Sequence, residues 1–360
     1  QLDNDAIVFG AEEYLREALA PYAAEPPLLL AIISSCAAGL IGDDIEAIAR
    51  GAGLSCPIAV LDSSGLSGSF ADGWDKAACA VLSAFLPEQR AGQANAVNLI
   101  GVTSAYYNGE NDAHELMRLL ALAGYHVNVA LGCDMSAADL SGLTQAALNI
   151  VVHDELGGGA ARLLAETCGM PCIAPLPPYG RAGTRKWLVE IGRALPAPRA
   201  DAAEEEITRV TREDFLRINE CKSLWGELRY ETALIRAPRS TAWGIAQALR
   251  TEWADVCHLA VAADAEGVPT AAPIADEILG ETDAVRIREL LNGLDGGLLI
   301  GSSNESAYIN PRTAAYFPVA YPVQDVLHLS DAPFMGLRGA RHIEETLWND
   351  RILRRKILLP

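Results

Sequence analysis

Cys36 stands between an apolar run, Leu28 to Ile33, and the glycine-rich turn Gly39-Leu-Ile-Gly42-Asp-Asp. A buried strand followed by such a turn and a helix start delivers a thiol to the crevice beyond the carboxyl end of a sheet, where α/β proteins place their chemistry. Asp43 or Asp44 caps the helix, and Gly39 and Gly42 let the backbone approach whatever the thiol touches. A Cys also packs well as a small hydrophobe, which is the plainer role. His153 ends a second apolar run, Leu148 to Val152, ahead of Asp154 and the glycines Gly157 to Gly159. It is a candidate catalytic imidazole, with hydrogen bonding to the next helix's amides as the plainer role. Ser302 and Ser303 follow a third run and can bind an anion or a polar ligand group, or simply cap a helix. Asp325 and His328 can form a proton-delivery pair in which the carboxylate orients the imidazole, or a structural loop pair. His114 is expected on a solvated helix face.

Other motifs exclude chemistry. The triple glycine is not followed by Gly-Lys-Ser/Thr, and no complete G-x-G-x-x-G follows a strand with an acid about twenty residues on, so neither ATP nor NAD is assigned to this chain. The eight cysteines contain no CxxC pair, which argues against a secreted disulfide framework and against a zinc site. Cys79, Cys168, Cys172 and Cys257 read as structural thiols.

Short apolar runs alternate with helical stretches, the pattern of βα units around mostly parallel sheets, so the fold class is α/β. Strands are expected at 28–34, 57–62, 97–102, 127–131, 148–152, 171–174, 231–235, 256–262 and 297–300. Helices are expected at 43–50, 73–86, 111–123, 136–146, 157–168, 182–194, 207–227, 240–250 and 283–293. Ser136 with Asp139 makes a capping box, and Gly124 ends the helix before it. Residues 196–206, rich in Pro, Ala and acid, read as a linker. The expected units are three Rossmann-like domains, 1–95 with Cys36, 96–195 and 229–335, with a linker and helix over 196–228 and a C-terminal helix over 336–360. That last helix is amphipathic and is expected to pack back on the body through Leu347, Ile352 and Leu353.

The 360 residues carry a formal charge of −19, which disfavours nucleic acid and anionic membrane surfaces, since both need a basic face. Half the residues are hydrophobic, enough for several buried sheets, yet no apolar run approaches ~20 residues. With no secretory signal visible, the chain reads as soluble and cytoplasmic.

The stretches AIVFGAEEYLREAL (6–19), SSCAAGLIGDDIEAIAR (34–50) and SGSFADGWDKA (67–77) resemble the component 1 proteins of nitrogenase and nitrogenase-like reductases. The resemblance continues through YYNGENDAHELMRLLALAGYHV (106–127), ALNIVVHDELGGGAARLLAETCGMPCI (147–173) and LLIGSSNESA (298–307). It ends in YPVQDVLHLSDAPFMGLRGA (321–340), where Pro322, Asp325 and His328 fall as in the β-subunit pattern. The resemblance implies that Cys36 is a ligand of an iron-sulfur cluster, of the [4Fe-4S] kind, shared with a homologous component 1 subunit in a dimer or heterotetramer. A cluster takes four protein ligands, so the others are expected from a Cys-bearing segment preceding Gln1. Against the α-subunit pattern, His153 occupies the position of a Cys that binds a further metal cofactor. The implied activity is that of an oxidoreductase subunit: electrons pass from an ATP-dependent iron-sulfur reductase protein, and a tetrapyrrole or small molecule is reduced between domains. A noncatalytic scaffold for metal-cofactor assembly and a cluster-free small-molecule-binding relative share the same features.

Overall fold

The computed structural model describes residues 12–34, 44–61, 68–85, 92–263 and 274–358. Cys36, Gly39 and Gly42 lie outside these residues. The described chain forms three parallel sheets connected by helices. In the first, β1 (Leu30–Ile33) pairs with β2 (Ile58–Leu61) around α2 (Ile45–Gly51), while α1 (Glu12–Ala24) precedes it. Of the two acids that could cap α2, Asp44 does so, its carboxylate accepting from the Ala47 amide at 2.9 Å. Helix α3 (Phe70–Ala84) starts at Ser69 with a reciprocal capping box to Asp72 and leads to the second sheet.

The second sheet has the order β4-β3-β5-β6, from β3 (Gln93–Ile100), β4 (His126–Leu131), β5 (Ala146–Val151) and β6 (Cys172–Ile173). Its helices are α4 (Gly109–Leu122), α5 (Asp154–Cys168) and α6 (Gly180–Ala194). The third sheet has the order β11-β10-β7-β8-β9. It is built from β7 (Arg229–Ala237), β8 (Asp255–Ala263), β9 (Glu277–Leu279), β10 (Leu298–Gly301) and β11 (Ala315–Pro318). Helices α8 (Arg239–Ala248), α9 (Ala284–Asn292) and the single turn α10 (Ser303–Ser306) lie within this sheet's sequence, and α7 (Ala200–Trp225) and α11 (Gly336–Leu358) flank it. In both larger sheets the order reverses beside the first strand, β3 or β7, so each has a switch point whose loops diverge to leave a crevice.

The strands at the centre are apolar on both faces because helices cover both sides: Val97, Leu99, Ile100, Leu234, Ile235 and Leu298 are all buried. One apolar cluster runs from Leu99 and Ile150 of the second sheet through Trp187, Trp243 and Trp348 to Ile235 and Ile300 of the third. The two sheets therefore share a core. On the other face of the second sheet, against residues 139–145, a ladder of amides is satisfied internally: Asn128 donates to Asn98 at 2.9 Å, and Asn98 donates to Asn149 at 2.8 Å and to the Leu143 carbonyl at 2.9 Å.

Four expectations need correction. The Pro/Ala/acid stretch does not continue as a linker: α7 begins at Ala200, and Ala203 and Ile207 bury one stripe of it. Three acids in a row look unpatterned in sequence, but they sit on the solvated face of the same helix. Residues 139–145 form a tighter 3-10 helix rather than an α-helix, although Ser136 and Asp139 do bond each other as expected. Cys172 and Cys257 are exposed, and Cys168 is only half-buried. Of the residues expected to dock α11, Leu347 is buried whereas Leu353 is exposed.

Candidate functional site

The carboxyl edges of the second and third sheets face each other across a crevice of about 480 Å³. The loop after β3 supplies Ala105, Tyr106 and Tyr107, the start of α5 supplies Glu155, and the start of α8 supplies Arg239. Ser69, Phe70 and Ala71 close one end from α3, and Val319, Ala320 and Tyr321 close the other from beyond β11. The walls are mainly apolar, and Phe70, Tyr106, Tyr107 and Tyr321 are their aromatic members. Phe70 stacks on Trp74 with centroids 6.1 Å apart and lies 5.9 Å from Tyr106. Tyr106 in turn meets the His153 ring edge-on at 5.1 Å.

Three consecutive residues at the head of α5 hold the two sheets together on the crevice floor. His153 is buried, and its Nδ1 lies 2.7 Å from Ser240 Oγ. The Ser240 hydroxyl donates to Glu155 at 2.8 Å, and the Ser240 amide donates to the same carboxylate at 3.2 Å. Since that hydroxyl has only one proton, it accepts from His153, which fixes Nδ1 as the protonated nitrogen. Burial pushes the His153 pKa below its ordinary value despite the Glu155 charge, so the ring is neutral near pH 7. Asp154 pairs with Arg239 alongside. His153 thus bonds the helix of the neighbouring sheet rather than the amides of its own.

The glycines next to it serve approach, not phosphate binding. A Cβ on Gly157 would come within 2.7 Å of the Gly101 nitrogen, so α5 can lie against the end of β3 only with Gly here. Gly159 admits Asp75 of α3, whose carboxylate accepts from the Gly159 and Ala160 amides.

Below the crevice is an inner cavity of about 20 Å³ that shares Tyr106, Tyr107 and Val319 as walls and reaches His153, Tyr179 and Asp112. Asp112 is buried in α4 and accepts from the Phe334 and Met335 amides at 2.6 and 2.8 Å. Burial, with the Glu115 charge adding to it, outweighs those two bonds and lifts its pKa to about 7. The Tyr107 hydroxyl is buried without a hydrogen-bond partner among the described residues.

The other residues singled out from sequence are placed elsewhere. Ser302 caps α10 and bonds Glu305 in a capping box. Ser303 donates to Asp325 at 2.6 Å and accepts from the Gln324 amide, fastening the segment after β11. Burial alone would raise the Asp325 pKa, but its bonds to Ser303, Ser306 and Tyr316 outweigh that and keep it low. His328 instead bonds the Ala332 carbonyl at 3.0 Å and stacks on His342 with centroids 5.1 Å apart. No hydrogen bond joins Asp325 to His328 among the described residues, so the expected proton-delivery pair is not assembled. His114 is exposed as expected, although paired with Asp134 at 2.5 Å. Sequence reasoning passed over Phe70, Tyr106, Tyr107, Glu155, Ser240 and Asp112. The available signal was positional: all of them lie in the loops that leave a strand or in the first turn of the following helix.

An α/β protein with two facing switch points and an aromatic crevice between them belongs with enzymes that bind a ligand between domains. Residues 1–350 match the family of nitrogenase component 1 type oxidoreductases, and the chain belongs to that family. It is 29% identical over 174 residues to the B subunit of light-independent protochlorophyllide reductase from Prosthecochloris aestuarii, covering 46% of this chain and 31% of that one. The protein of the same name from a Methylobacterium species is 29% identical over 203 residues, 56% of this chain and 40% of that one. The matched segments thus span about a third of the length of these curated relatives. A chain of the solved structure described as nitrogenase Cp1 at pH 6.5 superposes with a TM-score of 0.76 at 16% identity, over 99% of this chain and 82% of that one. The fold is therefore that of nitrogenase component 1.

The family generally binds iron-sulfur clusters, and the described residues do not fit one. Among them no group of three or more His, Cys, Asp or Glu side chains could hold a metal ion. Among them too, no helix is long and apolar enough to cross a membrane.

Proposed function

We propose that this chain is the substrate-binding part of a nitrogenase-like reductase and that the crevice takes a flat, conjugated, carboxylate-bearing molecule of the tetrapyrrole class. The observation that carries this reading is the aromatic crevice at the meeting of two sheet edges, lined by Phe70, Tyr106, Tyr107 and Tyr321 with Arg239 at one wall. Its volume of about 480 Å³ falls within the ~300–1,000 Å³ common for small-molecule sites. Aromatic faces stack a conjugated ring and exclude water from it, and a guanidinium matches a carboxylate in charge and geometry. The names of the curated relatives support the same substrate class.

By analogy with the family, electrons would come from an ATP-dependent iron-sulfur reductase protein, and a homologous component 1 subunit would complete the assembly. Cys36 is the proposed ligand in this chain for a cluster at the interface of the two, with the remaining ligands supplied from outside the described residues. The residues of the crevice bind, orient and shield the substrate. The test is anaerobic. The chain is co-expressed with a homologous component 1 subunit and mixed with the reductase, ATP and protochlorophyllide. ATP-dependent loss of the substrate's absorption band is expected, with at least a tenfold lower rate for Tyr106→Ala. No reduction with a fully loaded assembly, or an undiminished rate in the variant, would contradict the reading.

A further inference from the structure

Resting on that reading, we infer that Asp112 is the proton reservoir of the crevice, connected to it by a water in the inner cavity. Reducing a conjugated ring consumes protons as well as electrons, and a crevice with mainly apolar walls holds few groups that can supply them. Glu155 is engaged by the Ser240 hydroxyl and amide, and the His153 proton on Nδ1 is committed to Ser240. Asp112 is differently placed. It lies on the far side of an inner cavity of about 20 Å³, large enough for one water, whose walls Tyr106, Tyr107 and Val319 are also walls of the crevice. The Tyr107 hydroxyl, buried with no protein partner among the described residues, marks a point where such a water has something to bond.

Burial is the main reason that Asp112 holds a proton, and the charged and titratable groups around it do not reverse that. On α4, Glu115 adds a negative charge, partly balanced by Arg118 and Arg338. Tyr179, from the segment before α6, is kept un-ionised by burial, as is Tyr107. His153 is neutral, and the segment before α11 contributes only the amides of Phe334 and Met335. The carboxyl is half-protonated near neutrality as a result, so that it both gives and regains a proton. In the transfer, the Asp112 O–H bond breaks as an O–H bond forms on the cavity water. The water releases one of its other protons to the substrate, reduced in the same turnover by the low-potential iron-sulfur donor. The carboxylate left behind is refilled from solvent along the same path once product leaves.

Capping the chain before α11 would by itself explain why an acid is buried here, so the test reads the proton rather than stability. Infrared difference spectra are recorded across pH 5 to 9 in a Glu344→Gln background, because Glu344 is also lifted to about 7. A protonated-carboxyl band that titrates near pH 7 is expected, and Asp112→Asn, whose amide oxygen can still accept from Phe334 and Met335, should lack it. After a rapid jump from pH 6 to pH 8, the band should decay at least tenfold more slowly when Ala105→Trp plugs the crevice. A carboxylate already ionised at pH 5 would overturn the inference. So would an unchanged decay in the plugged protein, which would mean that Asp112 exchanges by another route. Neither result depends on ligand binding, so failure here is separable from failure of the reductase assay.

Discussion

Asp112 and Glu344 are both buried carboxyls lifted to about 7, yet they sit in unlike surroundings. Beneath the crevice, Asp112 is opposed only by amide dipoles and borders a cavity. Beneath α11, Glu344 shares the Arg181 guanidinium with Asp214 and Glu252, at 2.6, 2.9 and 3.4 Å, and Arg341 completes the set through Asp214. In the second region a full positive charge works against burial, but two neighbouring acids cancel much of it. The same midpoint therefore arises from a water-facing acid and from an over-subscribed ion cluster. Their uses differ accordingly: the cluster fastens α6, α7, α11 and the turn that follows α8 into one body, while the cavity-facing acid is able to exchange.

The strongest way to separate the two is Arg181→Met. It removes Arg181 from the buried Asp214 and Glu344 and the partly buried Glu252, leaving Arg341 on Asp214, and removing one partner of a buried ionic set costs roughly 3–5 kcal/mol. Urea unfolding at pH 7 should show that loss, and the Glu344 midpoint should rise while that of Asp112 stays near 7. Equal movement of both would mean that the regions are electrically one.

Asp112→Asn should show its effect as a change in pH dependence. The folded pKa, about 7, lies above the ordinary 3.8, so the stabilising contribution of this acid is complete below about 4 and is lost as pH rises toward 7. Asn has no such loss. Relative to the unsubstituted protein, the variant should gain up to ~4 kcal/mol between pH 4 and pH 8. Parallel stability curves would contradict the raised pKa.

Gly157→Ala probes the crevice floor by shape alone. The added methyl meets the backbone of Gly101, which cannot rotate away, and overpacking of this kind costs roughly 1–3 kcal/mol. The melting temperature should fall with no change in its pH dependence. Ser240→Ala is expected to be the mildest, near ~1 kcal/mol by thermal unfolding, since the Ser240 amide still holds Glu155. Its clearer signature is at His153, where loss of the Nδ1 partner should relax the tautomer seen by nitrogen NMR.

Much of the fold was legible because it is written in local pattern. Apolar runs such as 97–100 and 148–151 predict strands buried on both faces, and Asp44 and Gly124 mark helix ends by short-range chemistry, whereas the cap at Ser69 went unread and α3 starts three residues before the expected 73. The site was much less legible. Glu155 and Ser240 are 85 residues apart, and nothing in either stretch announces the other until two sheets bring their carboxyl edges together. Asp325 and His328 illustrate the converse: they lie three positions apart in the sequence, yet one turns to α10 and the other to His342. The acid cluster of α7 was misread for a similar reason, since an amphipathic helix facing a broad body needs only a narrow apolar stripe.

Whether substrate binds in the crevice between the second and third sheets is decided by a titration. Protoporphyrin IX, a flat conjugated dicarboxylate, is added to the protein and to Ala105→Trp, with tryptophan and tyrosine emission as the signal. Saturable quenching is expected in the unsubstituted protein, with at least a tenfold loss of affinity in the plugged variant and unchanged unfolding behaviour. Equal affinity in both proteins, or no saturable binding to either, would rule the crevice out as the binding site.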